Sequence, residues 1–199
     1  MDDDRRLSDL VREAQGGNRA AVQAIYEIFA PRIYNFLVRM LGSREEAEDL
    51  TQQTFLIAIG RLPGLRDANQ IESWIYRIAR NEAYQRFRRK KALRLDEEYA
   101  GNRETSDLIE RRLHANPEEL LLTGELRQVL EKVLLGLPPR SREVFILAII
   151  QGMSYKDVSA VTGRSLLAVK TDIYRARLSA RHELRKYLGS GSLIGKGQK

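Results

Sequence analysis

Apolar residues in this chain recur at intervals of three and four, and no stretch alternates with the period of two that a half-buried strand needs. One stripe runs through Leu7, Leu10, Val11 and Ala14. A longer one runs through Val22, Ile25, Phe29, Ile33, Phe36, Leu37, Met40 and Leu41, with Pro31 inside it, where a missing N–H and a ring clash predict a kink or a split. Ser43 with Glu46 three residues on has the form of a capping box. The helix it opens carries Ala47, Leu50, Phe55, Ala58 and Ile59 and closes at Leu62-Pro63-Gly64. A loop over 66–70 leads to a helix from about Ile71 to Leu93, whose early part buries Trp74, Ile75, Ile78 and Ala79. The expected fold class is therefore all-α.

The periodicity weakens over 96–119, which gathers Asp96, Glu97, Glu98, Glu104, Asp107, Glu110, Glu118 and Glu119 around Gly101, Asn102 and Asn116-Pro117. Such a stretch reads as an acidic, flexible linker with one helical turn or two. Order returns at Leu126, Val129, Leu130, Val133 and Leu134. A break follows at Gly136-Leu137-Pro138-Pro139, where Pro139 suits the first turn of a helix carrying Val144, Phe145, Leu147 and Ala148 and ending near Gly152. The expected organisation is two small helical domains, 1–95 and 120–188, joined by the linker 96–119 and followed by a disordered tail, 189–199.

The chain carries a formal charge of +7, so the acidic linker stands against a basic background that suits a polyanionic partner. With no cysteine and only His114 and His182, far apart in sequence, thiolate chemistry, disulfides, cysteine-built zinc sites and histidine-based triads have nothing to build on. No cofactor and no metal are expected. The acidic start lacks the pattern of a signal peptide, and no apolar run reaches the length of a membrane span. A cytoplasmic protein without membrane insertion is expected.

The second domain holds a helix-turn-helix pattern. Ser154 caps a short helix with Val158 and Val161 inward, Gly163 allows positive φ in the turn, and Ser165 caps the next helix. On that helix Val169, Ile173, Ala176, Ala180 and Leu184 make a buried stripe. The opposite side shows Leu167, Lys170, Thr171, Tyr174, Arg175, Arg177 and Arg181. This is the layout of a recognition helix, whose first residues reach base edges while flanking cations hold phosphates. Asp172 stands against it, since an acid here repels phosphate unless it turns away or accepts from a cytosine amine.

In the first domain Arg77, Arg80, Asn81, Tyr84 and Arg88 fall on one helical stripe, enlarged by Arg86, Arg89, Lys90, Lys91 and Arg94. Cations alone signify phosphate binding. Asn81 and the aromatic Tyr76, Tyr84 and Phe87 among them add stacking and base-edge bonding, as a reader of unpaired bases requires. Trp74 is read as core.

Three stretches together resemble the extracytoplasmic-function (ECF) group of bacterial sigma factors. EEAEDLTQQTF (45–55) resembles region 2.2, ESWIYRIARN (72–81) resembles regions 2.3 to 2.4, and LPPRSREVF (137–145) with GMSY (152–155) and VKTDIYRAR (169–177) resembles region 4. The resemblance implies a non-enzymatic promoter-recognition subunit of RNA polymerase. Its partners would be the core polymerase (β′ clamp and β flap), promoter DNA and an anti-sigma factor, with no small-molecule substrate. By the same resemblance Asp49, Gln52 and Gln53 would face the polymerase clamp, with Phe55 packed behind. Asp67, Ala68, Asn69 and Gln70 would form the pocket for a flipped −10 base. Arg77, Asn81 and Tyr84 would contact the −10 element, with Arg88 and Arg89 on its backbone. Arg164, Ser165, Leu167, Lys170, Thr171 and Arg175 would contact the −35 element. The turn after Gly163 and Asp172 depart from the group's usual pattern and bear on the −35 preference. Competing readings are a stand-alone helix-turn-helix regulator, which needs a dimer seam or ligand pocket in 1–95, and a nucleic-acid enzyme, which needs clustered carboxylates.

Overall fold

The computed structural model describes residues 2–99 and 131–189. The expected linker turns over 100–119, the stripe at Leu126, Val129 and Leu130, and the tail from 190 lie outside the described residues. Among the described residues every regular element is helical.

The first half is built from α1 (Asp2–Gln15), α2 (Arg19–Leu41), α3 (Arg44–Arg61), two 3₁₀ turns (Leu62–Gly64 and Ala68–Gln70) and α4 (Ile71–Tyr99). Local chemistry sets most of these limits. Asn18 caps α2 by accepting from the backbone N–H groups of Ala20 and Ala21 at 3.0 and 3.3 Å. Gly42 ends it in the left-handed region at φ 73°. Ser43 Oγ accepts from Glu46 N–H at 3.3 Å, so half of the expected capping box forms. The other half does not, because the Glu46 carboxylate is taken by Arg86 and Lys90 of α4.

Pro31 neither splits nor ends α2, which runs as one helix through it. Pro31 and Glu27, whose carbonyl loses its helical donor, are both exposed, so water can serve that carbonyl. Beneath them Phe29, Ile33, Phe36, Leu37 and Met40 are almost wholly buried and hold the helix together through packing. Also, α4 continues to Tyr99, past both the expected helix end and the expected domain boundary.

The second half consists of α5 (described over 131–136), α6 (Pro139–Phe145), a π-helical turn (Ile146–Ile150), α7 (Tyr155–Thr162) and α8 (Leu166–Gly189). The π turn widens the helix before Gly152, a feature without a periodicity signal, while Ile146 and Leu147 stay buried within it.

The halves are not separate bodies. One apolar cluster joins Phe36, Met40, Ile75 and Ala79 of the first to Val144, Leu147, Met153 and Val158 of the second. At ~1.5–3 kcal/mol for each large side chain fully buried, this shared core favours association of the halves. In the contacts between them α4 lies against α7, and α2 against α6 and the π turn. α4 is thus the element on which the arrangement of candidate binding residues turns.

Candidate nucleic-acid and polymerase interfaces

On α3 the inward positions Ala47, Thr51, Thr54, Phe55 and Ala58 are buried. Phe55 is held edge-on to Tyr26, with ring centroids 4.8 Å apart. The spacing of the helix then turns Asp49, Gln52 and Gln53 out together, and all three are exposed. Leu56, one turn beyond the two glutamines, is 69% exposed. Sequence reading passed over it because it stands off the apolar stripe. It supplies the nonpolar surface that makes this polar face suitable for a protein partner.

The loop before α4 is shaped by Asp67. Its carboxylate accepts from Asn69 N–H at 3.0 Å, Asn69 Nδ2 at 3.1 Å and Gln70 Nε2 at 3.0 Å. The bonds from Gln70 and Asn69 hold its pKa below the usual aspartate value. Asp67, Asn69 and Gln70 are exposed, whereas Ala68 is buried and anchors the loop to the core. Gln15 Nε2 fastens the preceding turn, donating to the carbonyls of Leu62 and Leu65 at 3.0 and 2.7 Å.

The basic run on α4 divides in two. Arg86 and Lys90 reach Glu46 of α3 at 2.9 and 2.6 Å and act as structural ties, apart from the nucleic-acid stripe to which the sequence assigned them. Burial alone would raise the Glu46 pKa, but the hydrogen bonds from Lys90 and Arg86 outweigh it and leave the value lowered. Arg77, Asn81, Arg88 and Arg89 are exposed. Between them, Arg80 and Tyr84 turn toward the second half. Arg80 pairs with Glu143 of α6 and stacks over the Tyr84 ring, its guanidinium carbon 4.7 Å from the centroid. The Tyr84 hydroxyl donates to Glu143 Oε2 at 3.0 Å.

Glu143 has no exposed surface, so burial raises its pKa. Arg80 and the Tyr84 hydrogen bond act the other way and only partly offset that rise. The Tyr84 hydroxyl is likewise pushed up, first by burial and then by the Glu143 charge. Nothing in the local sequence marked Glu143, since it sits among the polar residues of α6 and finds its partners only through tertiary contact.

In the second half Ser154 Oγ caps α7 through Asp157 N–H at 3.2 Å, Gly163 takes φ 70°, and Ser165 Oγ accepts from Ala168 N–H at 3.3 Å. Val169, Ile173 and Ala176 are buried, with Ala180 and Leu184 half-buried. Ser165, Leu167, Lys170, Thr171 and Arg175 are all exposed along one side of α8. Asp172 pairs with Arg164, so its charge is partly neutralised by the turn that leads into the helix. Among the described residues no group of acidic and histidine side chains could hold a metal ion, and no helix is long and apolar enough to cross a membrane.

Comparison with known proteins matches residues 25–93 to Sigma-70 region 2 and residues 127–179 to Sigma-70, region 4. The ECF RNA polymerase sigma factor SigW of Bacillus subtilis is 30% identical over 179 residues, covering 88% of this chain and 95% of that protein. The RNA polymerase sigma factor YlaC of the same organism is 28% identical and is covered to the same 95%, against 85% of this chain. Among solved structures, CnrH in complex with the cytosolic domain of CnrY superposes with a TM-score of 0.67 at 25% identity, covering 90% of this chain and 97% of CnrH.

Proposed function

We propose that this chain, which belongs to the extracytoplasmic-function group of RNA polymerase sigma factors, binds core polymerase through the outer face of α3 and reads a promoter with α4 and α8. One observation carries this reading. A single chain presents an exposed Asp49/Gln52/Gln53 face beside Leu56, an Asn- and Arg-bearing face on α4, and a basic face on the second helix of a helix-turn-helix. A stand-alone regulator has no use for the first two.

In this mechanism α8 enters the −35 major groove, where Ser165, Leu167, Lys170 and Thr171 lie within reach of base edges and Arg164 and Arg175 hold phosphates. Arg77 and Asn81 engage the −10 element, joined by Tyr84 once its hydroxyl leaves Glu143, with Arg88 and Arg89 on its backbone, and the Asp67–Gln70 loop receives the flipped base. Opening the duplex requires no bond chemistry from the chain, which acts as a binding subunit and not as an enzyme. It requires a surface that favours unpaired bases by enough to offset unstacking, about a few kcal/mol per base. The organisation assigned is region 2 over 1–95, a linker over 96–119, region 4 over 120–188 and a tail beyond, working in the cytoplasm with polymerase and DNA. Control by an anti-sigma factor fits the comparison proteins, since CnrH is bound to the cytosolic domain of CnrY.

Run-off transcription tests this reading directly, using core polymerase and a pool of promoter fragments with and without the chain. Selective initiation that depends on the chain is the expected result. Absence of both initiation and core binding, with tight duplex binding by the chain alone, would replace it with the stand-alone regulator.

A further inference from the structure

Where the halves meet they leave an open cavity of about 560 Å³. Arg80, Asn81, Gln85 and Arg88 of α4 line one side, and Arg140 of α6 and Arg164 of the helix-turn-helix turn line the other. Four guanidinium groups thus converge, and no acidic side chain lines the cavity among the described residues. The two carboxylates nearest in the bonding scheme are already committed, Glu143 to Arg80 and Asp172 to Arg164. Arg88 and Arg140 are exposed toward solvent.

Glu143 and Asp172 offset two of the four charges, and the two left, Arg88 and Arg140, line the cavity from opposite halves and oppose association unless a counter-charge enters. The cavity volume lies in the range of small-molecule sites, roughly 300–1,000 Å³, and is too small to admit a nucleic-acid duplex. Guanidinium forks match phosphate oxygens two at a time, and the Asn81 and Gln85 amides add donors between them.

We propose that this cavity binds a small, multiply phosphorylated anion, an oligophosphate or a nucleoside polyphosphate, and that the bound anion holds the two halves together. The site exists only while α4 and α6 face one another, so the anion stabilises that arrangement by mass action. It also occupies Arg164 and the α4 face, and therefore opposes promoter engagement. The site itself rests on the packing of the two halves, and only its opposition to promoter engagement rests on the DNA roles proposed above. Binding can consequently fail while transcription succeeds, or the reverse.

The test is titration of the full chain, in EDTA, with inorganic tripolyphosphate and with ATP, against sulfate at matched ionic strength. Calorimetry should give one site per chain. Arg140→Ala should weaken it about tenfold, the loss of one charge-assisted fork, with partial recovery in Arg140→Lys. Arg19→Ala, on α2 outside the cavity, should leave it unchanged. Tripolyphosphate should slow amide exchange in both 77–88 of α4 and 139–145 of α6. ATP binding much more tightly than tripolyphosphate would identify a nucleotide, and equal binding an oligophosphate, each within the proposal. Equal effects of sulfate, equal losses in Arg140→Ala and Arg19→Ala, or slowed exchange confined to α4 would overturn it.

Discussion

Arg142 donates from Nη1 to the main-chain carbonyl of Met40 at 2.6 Å, so a guanidinium from α6 caps the C-terminal end of α2 in the other half of the chain. Nη2 donates to the Leu137 carbonyl at 3.0 Å, and the side chain is buried. The last carbonyls of a helix lack intrahelical donors, and a cation there also suits the helix dipole. Arg142→Ala should leave the Met40 carbonyl, and in its own half those of Leu135 and Leu137, short of a partner, and the loss at Met40 should weaken association of the halves by about 1–3 kcal/mol. Arg142→Lys should recover only part of this, since an ammonium lacks the fork that spans two acceptors. An increased hydrodynamic radius together with a lowered denaturation midpoint would register the effect. An unchanged radius would show that the apolar contacts suffice alone.

Glu143 makes the same contact responsive to pH. Its pKa is raised, so the packed halves hold its proton more tightly than the separated halves do. The contribution is fully present below the ordinary value near 4.5 and is lost as pH rises through the raised value. Tyr84 stays protonated throughout this window, its hydroxyl being pushed up by burial. Amide exchange from acid to neutral pH should show association of the halves weakening as pH rises. Glu143→Gln should flatten that dependence. A wild-type profile already flat would mean that Arg80 fully compensates the buried charge.

Glu46 predicts the opposite sign. Its lowered pKa means that the tie to Lys90 and Arg86 is present above about 4.5, the ordinary value, and is lost as pH falls through the lowered one. Both cations are more than a third exposed, so solvent screening keeps the effect small. Glu46→Ala should cost about 1 kcal/mol at neutral pH and nothing once wild-type Glu46 is protonated. Urea melts at two pH values decide this.

Most of this architecture was legible because it is written locally. Ser43, Ser154 and Ser165 cap helices, Gly163 turns the chain between two of them, and the buried stripes of α2 and α8 follow from spacing alone. The misses share one cause. Pro31 was expected to kink or split α2, but the helix runs unsplit because buried neighbours on the opposite side outweigh one lost hydrogen bond. Arg86 and Lys90 were grouped with the nucleic-acid stripe, but a carboxylate on another helix claims them. The Arg80–Glu143–Tyr84 group and the Arg142 cap join residues 59 to 102 positions apart, beyond what helical periodicity can report.

The outer face of α8 carries its own expectation. Lys170 and Arg175 are exposed on one side, clear of the buried stripe. Lys170→Ala with Arg175→Ala should reduce the salt dependence of duplex binding by up to two charges, a slope change of about 1.8. Core polymerase binding should be spared. Loss of polymerase binding instead would show that α8, and not α3, is the docking surface.

Asp172 is the residue at which the sequence left two possibilities, turning away from DNA or accepting from a cytosine amine. Its ion pair with Arg164 favours the first. The pair neutralises an acid that would face phosphate, and it fixes Arg164 in the turn, where Ser159 Oγ also donates to the Arg164 carbonyl. Asp172→Ala should therefore release a cation and remove an anion at once. Duplex affinity should rise at all sequences, because Arg164 holds its phosphate without first giving up Asp172, while the salt slope keeps about its wild-type value. Discrimination between promoter and random duplex should fall, because the freed arginine binds any backbone. A base-reading role predicts another pattern, with affinity falling for the preferred −35 sequence alone and tolerance relaxing at one base pair, worth about 1–3 kcal/mol. Binding of Asp172→Ala to the preferred duplex and to single-base variants, at two salt concentrations, separates the two.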